Sequence, residues 1–239
     1  MSTERLHNTD SKTQIIAVTG KGGVGKTSLA GVIVKILVQA CPGKRILAID
    51  ADPAVGLSTV LNVDVDMTID DIRKRVIGNV ENGDTKSAIE LLSEAKYDIY
   101  DAIAEKDGYA FIAIGRPESA GCYCRINSYL KEVITMLSDQ FDYVVIDGEA
   151  GIEQVVGTIK KVADELVMYE KTGVIINRVP DKDVVKHMDL GGLDVLSVIE
   201  SDSRLAQCDI MGGNVFELPD DSLIVKGAEE ALKNIGIIE

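Results

Sequence analysis

Positive charge is scarce in this chain, where 25 Lys and Arg stand against 39 Asp and Glu for a formal net charge of −14. A broad nucleic-acid or anionic-membrane footprint needs clustered cations, so this balance argues against both and leaves proteins and small molecules as partners. Long apolar runs are also missing, and none approaches the ~20 residues of a membrane helix. The polar leader, residues 1–13, has no apolar centre of the kind a signal peptide carries. A cytoplasmic protein is expected. Four cysteines, Cys41, Cys122, Cys124 and Cys208, are too few and too unevenly spaced for a disulfide framework, which leaves metal binding or buried thiols. The two histidines form no ligand set: His7 lies in the leader and His187 in the charged stretch 183–189. No repeat or linker divides the chain, so a single domain is expected over residues 14–239.

What the chain does carry is an alternation of apolar strands and helices. Gln14–Thr19 is an apolar run followed by glycine, the pattern of a parallel strand covered on both faces. A glycine-rich turn leads into a helix over Lys26–Ala40, apolar nearly all round and stopped by Cys41-Pro42-Gly43. Further strands are read at Arg45–Ile49, Tyr109–Ile114, Tyr143–Ile146, Gly173–Ile176 and Leu193–Ile199, and further helices at Asn127–Ser138, Thr158–Tyr169 and Asp220–Asn234. Residues 51–105 are mostly polar, with helical spacing only around Ile69–Val76 and Ser87–Ala95. The expected fold is α/β, a doubly wound, mostly parallel sheet flanked by helices.

Gly20-Lys21-Gly22-Gly23-Val24-Gly25-Lys26-Thr27-Ser28 matches G-x-x-x-x-G-K-[ST], and it follows an apolar strand and opens a helix, the context this phosphate-binding loop requires. Its glycines let backbone N–H groups turn around the phosphates of a nucleoside triphosphate, Lys26 reaches the β/γ-phosphates, and the Thr27 hydroxyl can ligand Mg²⁺. Tyr143–Ile146 ends in Asp147, the carboxylate such a site needs near the ion. Lys21, early in the loop, is either a solvated lysine or one that crosses to a phosphate in a facing subunit.

The KGGVGKT run resembles the deviant Walker A family that includes the nitrogenase iron protein, the septum-site ATPase MinD and partition ATPases. That resemblance implies a P-loop ATPase using ATP/ADP and Mg²⁺, with Lys21 reaching across a homodimer. It implies that Asp52 of Asp50-Ala51-Asp52-Pro53 orients the attacking water and that Asp50 supports the magnesium shell. Asn177 and Arg178 are implied to contact the base, with Pro219–Asp221 as the loop closing over it.

Cys122 and Cys124 stand one residue apart, too close to complete a tetrahedral site alone, so they read either as buried thiols or as half of a four-cysteine site shared between two subunits. The stretch Ile114-Gly115-Arg116-Pro117-Glu118 through Gly121-Cys122-Tyr123-Cys124 resembles the CooC family, accessory ATPases of carbon monoxide dehydrogenase, in which this pair binds metal between subunits. The implied activity is nickel insertion into carbon monoxide dehydrogenase or acetyl-CoA synthase, the client. Zinc suits the same thiolates. Two rivals stand: a MinD-like or partition ATPase that organises cell space, and an iron–sulfur carrier of the nitrogenase iron protein type.

One departure from the family is visible. Between Gly148-Glu149-Ala150-Gly151 and the strand at Gly173–Ile176 there is room for a single helix, where the resemblance implies a further strand. Because a buried sheet tolerates no such deletion easily, residues are expected to be omitted near Gln154–Val156.

Overall fold

The computed structural model describes residues 13–52, 55–81, 97–115, 137, 140–148, 171–187 and 193–239. Its centre is a five-stranded sheet built from β1 (Gln14–Val18), β2 (Ile46–Asp50), β3 (Ala104–Lys106), β4 (Tyr109–Ala113) and β5 (Tyr143–Asp147), ordered β1-β5-β2-β4-β3. All pairings are parallel except β3 on β4. Both β2 and β4 are buried at all five positions, which is why they read as unbroken apolar runs. Along β2 the side chains alternate between faces. Ile46 and Ala48 join the core beneath helix α1 (Lys26–Ala40), while Leu47 and Ile49 meet Ile69 and Ile72 of α3 (Ile69–Glu81) on the other face.

A second sheet pairs β6 (Val174–Val179) with β7 (Val195–Glu200), parallel and with two register shifts. One continuous sheet was expected, and among the described residues β1 pairs with β5 alone and does not join β6. Helix α5 (Leu223–Ile235) packs on both β7 and α1 and so ties the sheets together.

Helix α1 is enclosed from Ser28 to Leu37, its all-round apolar sequence matched by burial on every side. The exception in character is Lys35, 1% exposed, whose ammonium donates to the Leu218 carbonyl and pairs with Asp220 at 3.1 Å. A lysine is tolerated there because its charge meets a carboxylate at the surface.

Several short elements escaped the sequence reading. Helix α2 (Gly56–Leu61) has six residues, too few to show a period. Helix α4 (Ser203–Met211) buries only Leu205 and shows no apolar stripe, although Asp202 caps its start through the amides of Arg204 and Leu205 and Gly212 ends it. The strand β3 is short and polar, but Asp107-Gly108 between Lys106 and Tyr109 is the two-residue turn that favours a hairpin. Cys41 and Cys208 are half-buried rather than enclosed: the Cys41 thiol lies 3.7 Å from the Tyr143 hydroxyl, and that of Cys208 lies 3.3 Å from the Asn214 carbonyl. The helices read at 87–95 and 158–169, all but Leu137 of that at 127–138, and the junction at 154–156 lie outside the described residues.

Candidate nucleotide site

The loop between β1 and α1 crosses the C-terminal end of the sheet and delivers the positive end of a 15-residue helix there, with no acidic side chain in its first turn. Gly25, the residue before the helix, has φ 86°, and a Cβ on it would lie 2.8 Å from the Asn177 amide nitrogen. Only glycine meets both demands. Lys26 is buried and bends back toward the loop, its ammonium 3.5 Å from the Lys21 carbonyl, whereas Lys21, Gly22, Gly23 and Val24 are exposed.

From β6, Asn177 Nδ2 donates to the Val24 carbonyl at 3.0 Å and Arg178 Nη1 donates to the Gly23 carbonyl at 3.1 Å. Holding these two oxygens outward leaves amides of the loop free to face a phosphate. Arg178 adopts φ 59°, an uncommon region for a side-chain-bearing residue, and its amide donates to Asn177 Oδ1 at 2.9 Å.

Two carboxylates end the neighbouring strands. Asp50 and Asp147 are partners in the β2–β5 register, and both are 0% exposed. Neither oxygen of Asp147 accepts a well-formed hydrogen bond among the described residues, although the Thr27 hydroxyl lies close enough to favour its charged form. Burial pushes Asp147 up to about 6 and the Asp52 charge adds to that, while the nearby Thr27 hydroxyl and the Lys26 ammonium pull it down. Asp50 is pushed up to about 7, chiefly by burial and also by Asp147 and Asp52, against the amides of Leu57 and Asp52 that hold its charged form. A buried, unpartnered carboxylate beside a threonine hydroxyl is costly by itself and suits a hard divalent cation. Magnesium fits this donor set, because it keeps several waters and uses one or two carboxylates with substrate phosphates.

The structure thus gathers Gly22, Gly23, Val24, Gly25, Lys26, Thr27, Ser28, Asp50, Asp52, Asp147, Asn177 and Arg178 around one loop, with Lys21 on its exposed side. Pro219 lies along α1. Its neighbours Leu218 and Asp220 are fastened to Lys35 and Gln39, nine and thirteen residues along α1 from Lys26. Cys122 and Cys124 lie outside the described residues. One neighbour had no signal in the sequence: Gly56, at the start of α2, lies near Thr27, where a Cβ on it would meet the threonine methyl at an ordinary 3.4 Å.

The model of the CobQ/CobB/MinD/ParA nucleotide binding domain family matches residues 15–215. The chain belongs to this family. It is a P-loop ATPase with the MinD/ParA-like fold, a mostly parallel sheet flanked by helices. An uncharacterized ATP-binding protein of Methanocaldococcus jannaschii is 31% identical, over 92% of this chain and 98% of its own length. The carbon monoxide dehydrogenase accessory protein CooC of Rhodospirillum rubrum is 30% identical, over 66% of this chain and 63% of its own. Among solved structures, the cell division ATPase MinD of Pyrococcus furiosus superposes with a TM-score of 0.60 at 22% identity, over 93% of this chain and 98% of that one. For a MinD/ParA-family member, no described helix is long and apolar enough to cross a membrane, and no cluster of three or more His, Cys, Asp or Glu among the described residues could hold a metal ion.

Proposed function

We propose that this chain is a MgATP-dependent homodimeric ATPase that binds nickel or zinc through Cys122 and Cys124 and assists nickel insertion into carbon monoxide dehydrogenase or acetyl-CoA synthase. The nucleotide half of the reading is carried by the orphaned Asp147 carboxylate beside Thr27 and Lys26. Thr27 and Asp147 would hold a magnesium ion, which would supply positive charge at the phosphate oxygens. The loop amides and Lys26 bind the phosphates and stabilise negative charge as it moves toward the departing ADP oxygen. Asp52 orients the water whose oxygen bonds to the γ-phosphorus as the bond to ADP breaks. Lys21, exposed on the loop, reaches the phosphates of the partner subunit.

The metal half is carried by the Cys122-Tyr123-Cys124 sequence and by the likeness to CooC. The segment bearing these cysteines leaves the sheet at Ile114, whose amide donates to the Asp50 carbonyl at 2.8 Å, so it starts beside the nucleotide site. Two thiolates from each of two chains complete one tetrahedral set, one ion per dimer. A spatial-organising ATPase is the second reading, favoured by the MinD of Buchnera aphidicola at 32% identity over 83% of this chain and 63% of its own length. The acidic balance and the absence of a basic cluster on α5 weigh against it.

Size-exclusion chromatography with light scattering, run beside elemental analysis, tests the metal reading. Metal should promote dimerisation without nucleotide, at one ion per two chains, and replacing both cysteines by serine should remove ion and metal-dependent dimer together while ATP binding persists. An ion retained by the double-serine protein, or one ion per monomer in the parent, rejects the shared four-cysteine site. An anaerobic absorption spectrum separates a single ion from an iron–sulfur cluster.

A further inference from the structure

The two buried carboxylates differ in what their oxygens already do. Those of Asp147 accept no well-formed hydrogen bond among the described residues and have only the Thr27 hydroxyl close by, while both oxygens of Asp50 are engaged by backbone amides: Oδ1 accepts from the Asp52 amide at 3.1 Å and Oδ2 accepts from the Leu57 amide at 2.8 Å. One side chain therefore grips both ends of the loop from Asp52 to Leu57. At its far end the loop has Val55 at φ 50°, a left-handed conformation that a β-branched residue rarely adopts unless the surroundings hold it there. The Val55 amide donates to the Asp52 carbonyl at 2.9 Å, and the next residue, Gly56, lies near Thr27, whose methyl a Cβ on it would meet at 3.4 Å. Asp52 and Leu57 are thus both tied to the end of β2, and Gly56 between Val55 and Leu57 lies near a residue of the phosphate-binding helix.

We propose that Asp50 is a positioning residue, which fixes Asp52 and the start of α2 over Thr27 through its two amide contacts instead of ligating the magnesium ion. This rests on the reading that Asp52 orients the attacking water and that Asp147 serves the ion. Magnesium demands near-ideal octahedral geometry, and a carboxylate turned toward it would have to release or bend the contacts to Asp52 and Leu57. Asp147 faces no such conflict. A loosened loop displaces Asp52 from the reacting water, and small misplacements of that kind cost rate more than affinity.

Amide hydrogen exchange followed by NMR on the wild-type protein, with and without MgADP, reads the contacts directly. Both the Asp52 and Leu57 amides should stay protected after MgADP is added; loss of protection at both would show Asp50 turning to the ion and would overturn the proposal. Steady-state kinetics supply the second arm. Asp50→Asn keeps at most one of the two contacts and should lower kcat on the order of tenfold to a hundredfold, with KM for ATP and the half-saturating Mg²⁺ concentration nearly unchanged. Asp50→Glu, charged but displaced by one methylene, should show the same split. Asp147→Asn should instead raise the half-saturating Mg²⁺ by about tenfold or more. If Asp50→Asn raises it as much as Asp147→Asn does, Asp50 is a ligand and the proposal fails. Should Asp52→Asn leave kcat intact, the reading of Asp52 fails by itself, and the exchange result still decides what Asp50 holds.

Discussion

Lys26 and Lys21 share one loop but differ in burial, the first enclosed and the second exposed. Lys26→Ala should lower ATP hydrolysis by at least about a hundredfold by removing charge at the transferring phosphate. Lys21→Ala should also abolish hydrolysis while keeping most nucleotide binding, because its target is the phosphate of the facing subunit. Isothermal titration beside a phosphate-release assay separates the two, and normal turnover by the Lys21 variant removes the cross-subunit role. The carboxylates predict a pH effect. Asp50 and Asp147 are raised from 3.8 to about 7 and about 6, so between those values the folded protein holds more protons than the unfolded chain. Their contribution to stability is present below the unfolded value and is lost as pH rises through 6 and 7. Melting temperature without nucleotide should therefore fall across this window more steeply in the parent than in Asp147→Asn; parallel slopes would show that Asp147 is not held above its usual range. At this scale the sequence was informative wherever a motif fixes spacing, as from Gly20 to Ser28. It was silent on Leu57, whose contribution is a backbone amide that any residue but proline supplies.

Among the elements, α1 and α2 meet at a glycine. A Cβ on Gly31 would lie 2.5 Å from a Val60 methyl, so Gly31→Ala must turn the Val60 side chain or shift the helix α2 that bears it. Overpacking of about 1–3 kcal/mol exceeds the helix-propensity gain of about 1 kcal/mol, and the expected net loss is about 1 kcal/mol. A guanidinium melt should show a lower midpoint at unchanged slope. Strands buried on both faces, such as β2 and β4, were legible because burial leaves no polar position to blur the run. The exposed α4 and the six-residue α2 were not, since one has no buried stripe and the other no full period. The anchoring of the Pro219 loop was not legible for another reason: it is held by Lys35, a charged residue inside an apolar helix, and nothing in its neighbours announces a partner 183 residues away.

For the whole molecule, the open question is the interval between β5 and β6. The alignment with the M. jannaschii protein runs over 249 positions yet takes in 92% of this chain's 239 residues, about 220, so some 29 positions of the relative have no counterpart here. A strand with its crossover helix needs roughly twenty residues or more, which those positions can supply. If residues are omitted near Gln154–Val156, intact mass spectrometry of the protein from its source should exceed 25.7 kDa by about that many residues. A mass of 25.7 kDa would mean a natural deletion. As it stands, Asn177 and Arg178 reach from the two-stranded sheet to the backbone of a loop that is continuous with the five-stranded one. Phosphate affinity and cohesion between the two sheets are then linked quantities, and each strengthens the other by the same free energy. Calorimetry would register that linkage as a single transition moved to higher temperature when ATP is bound.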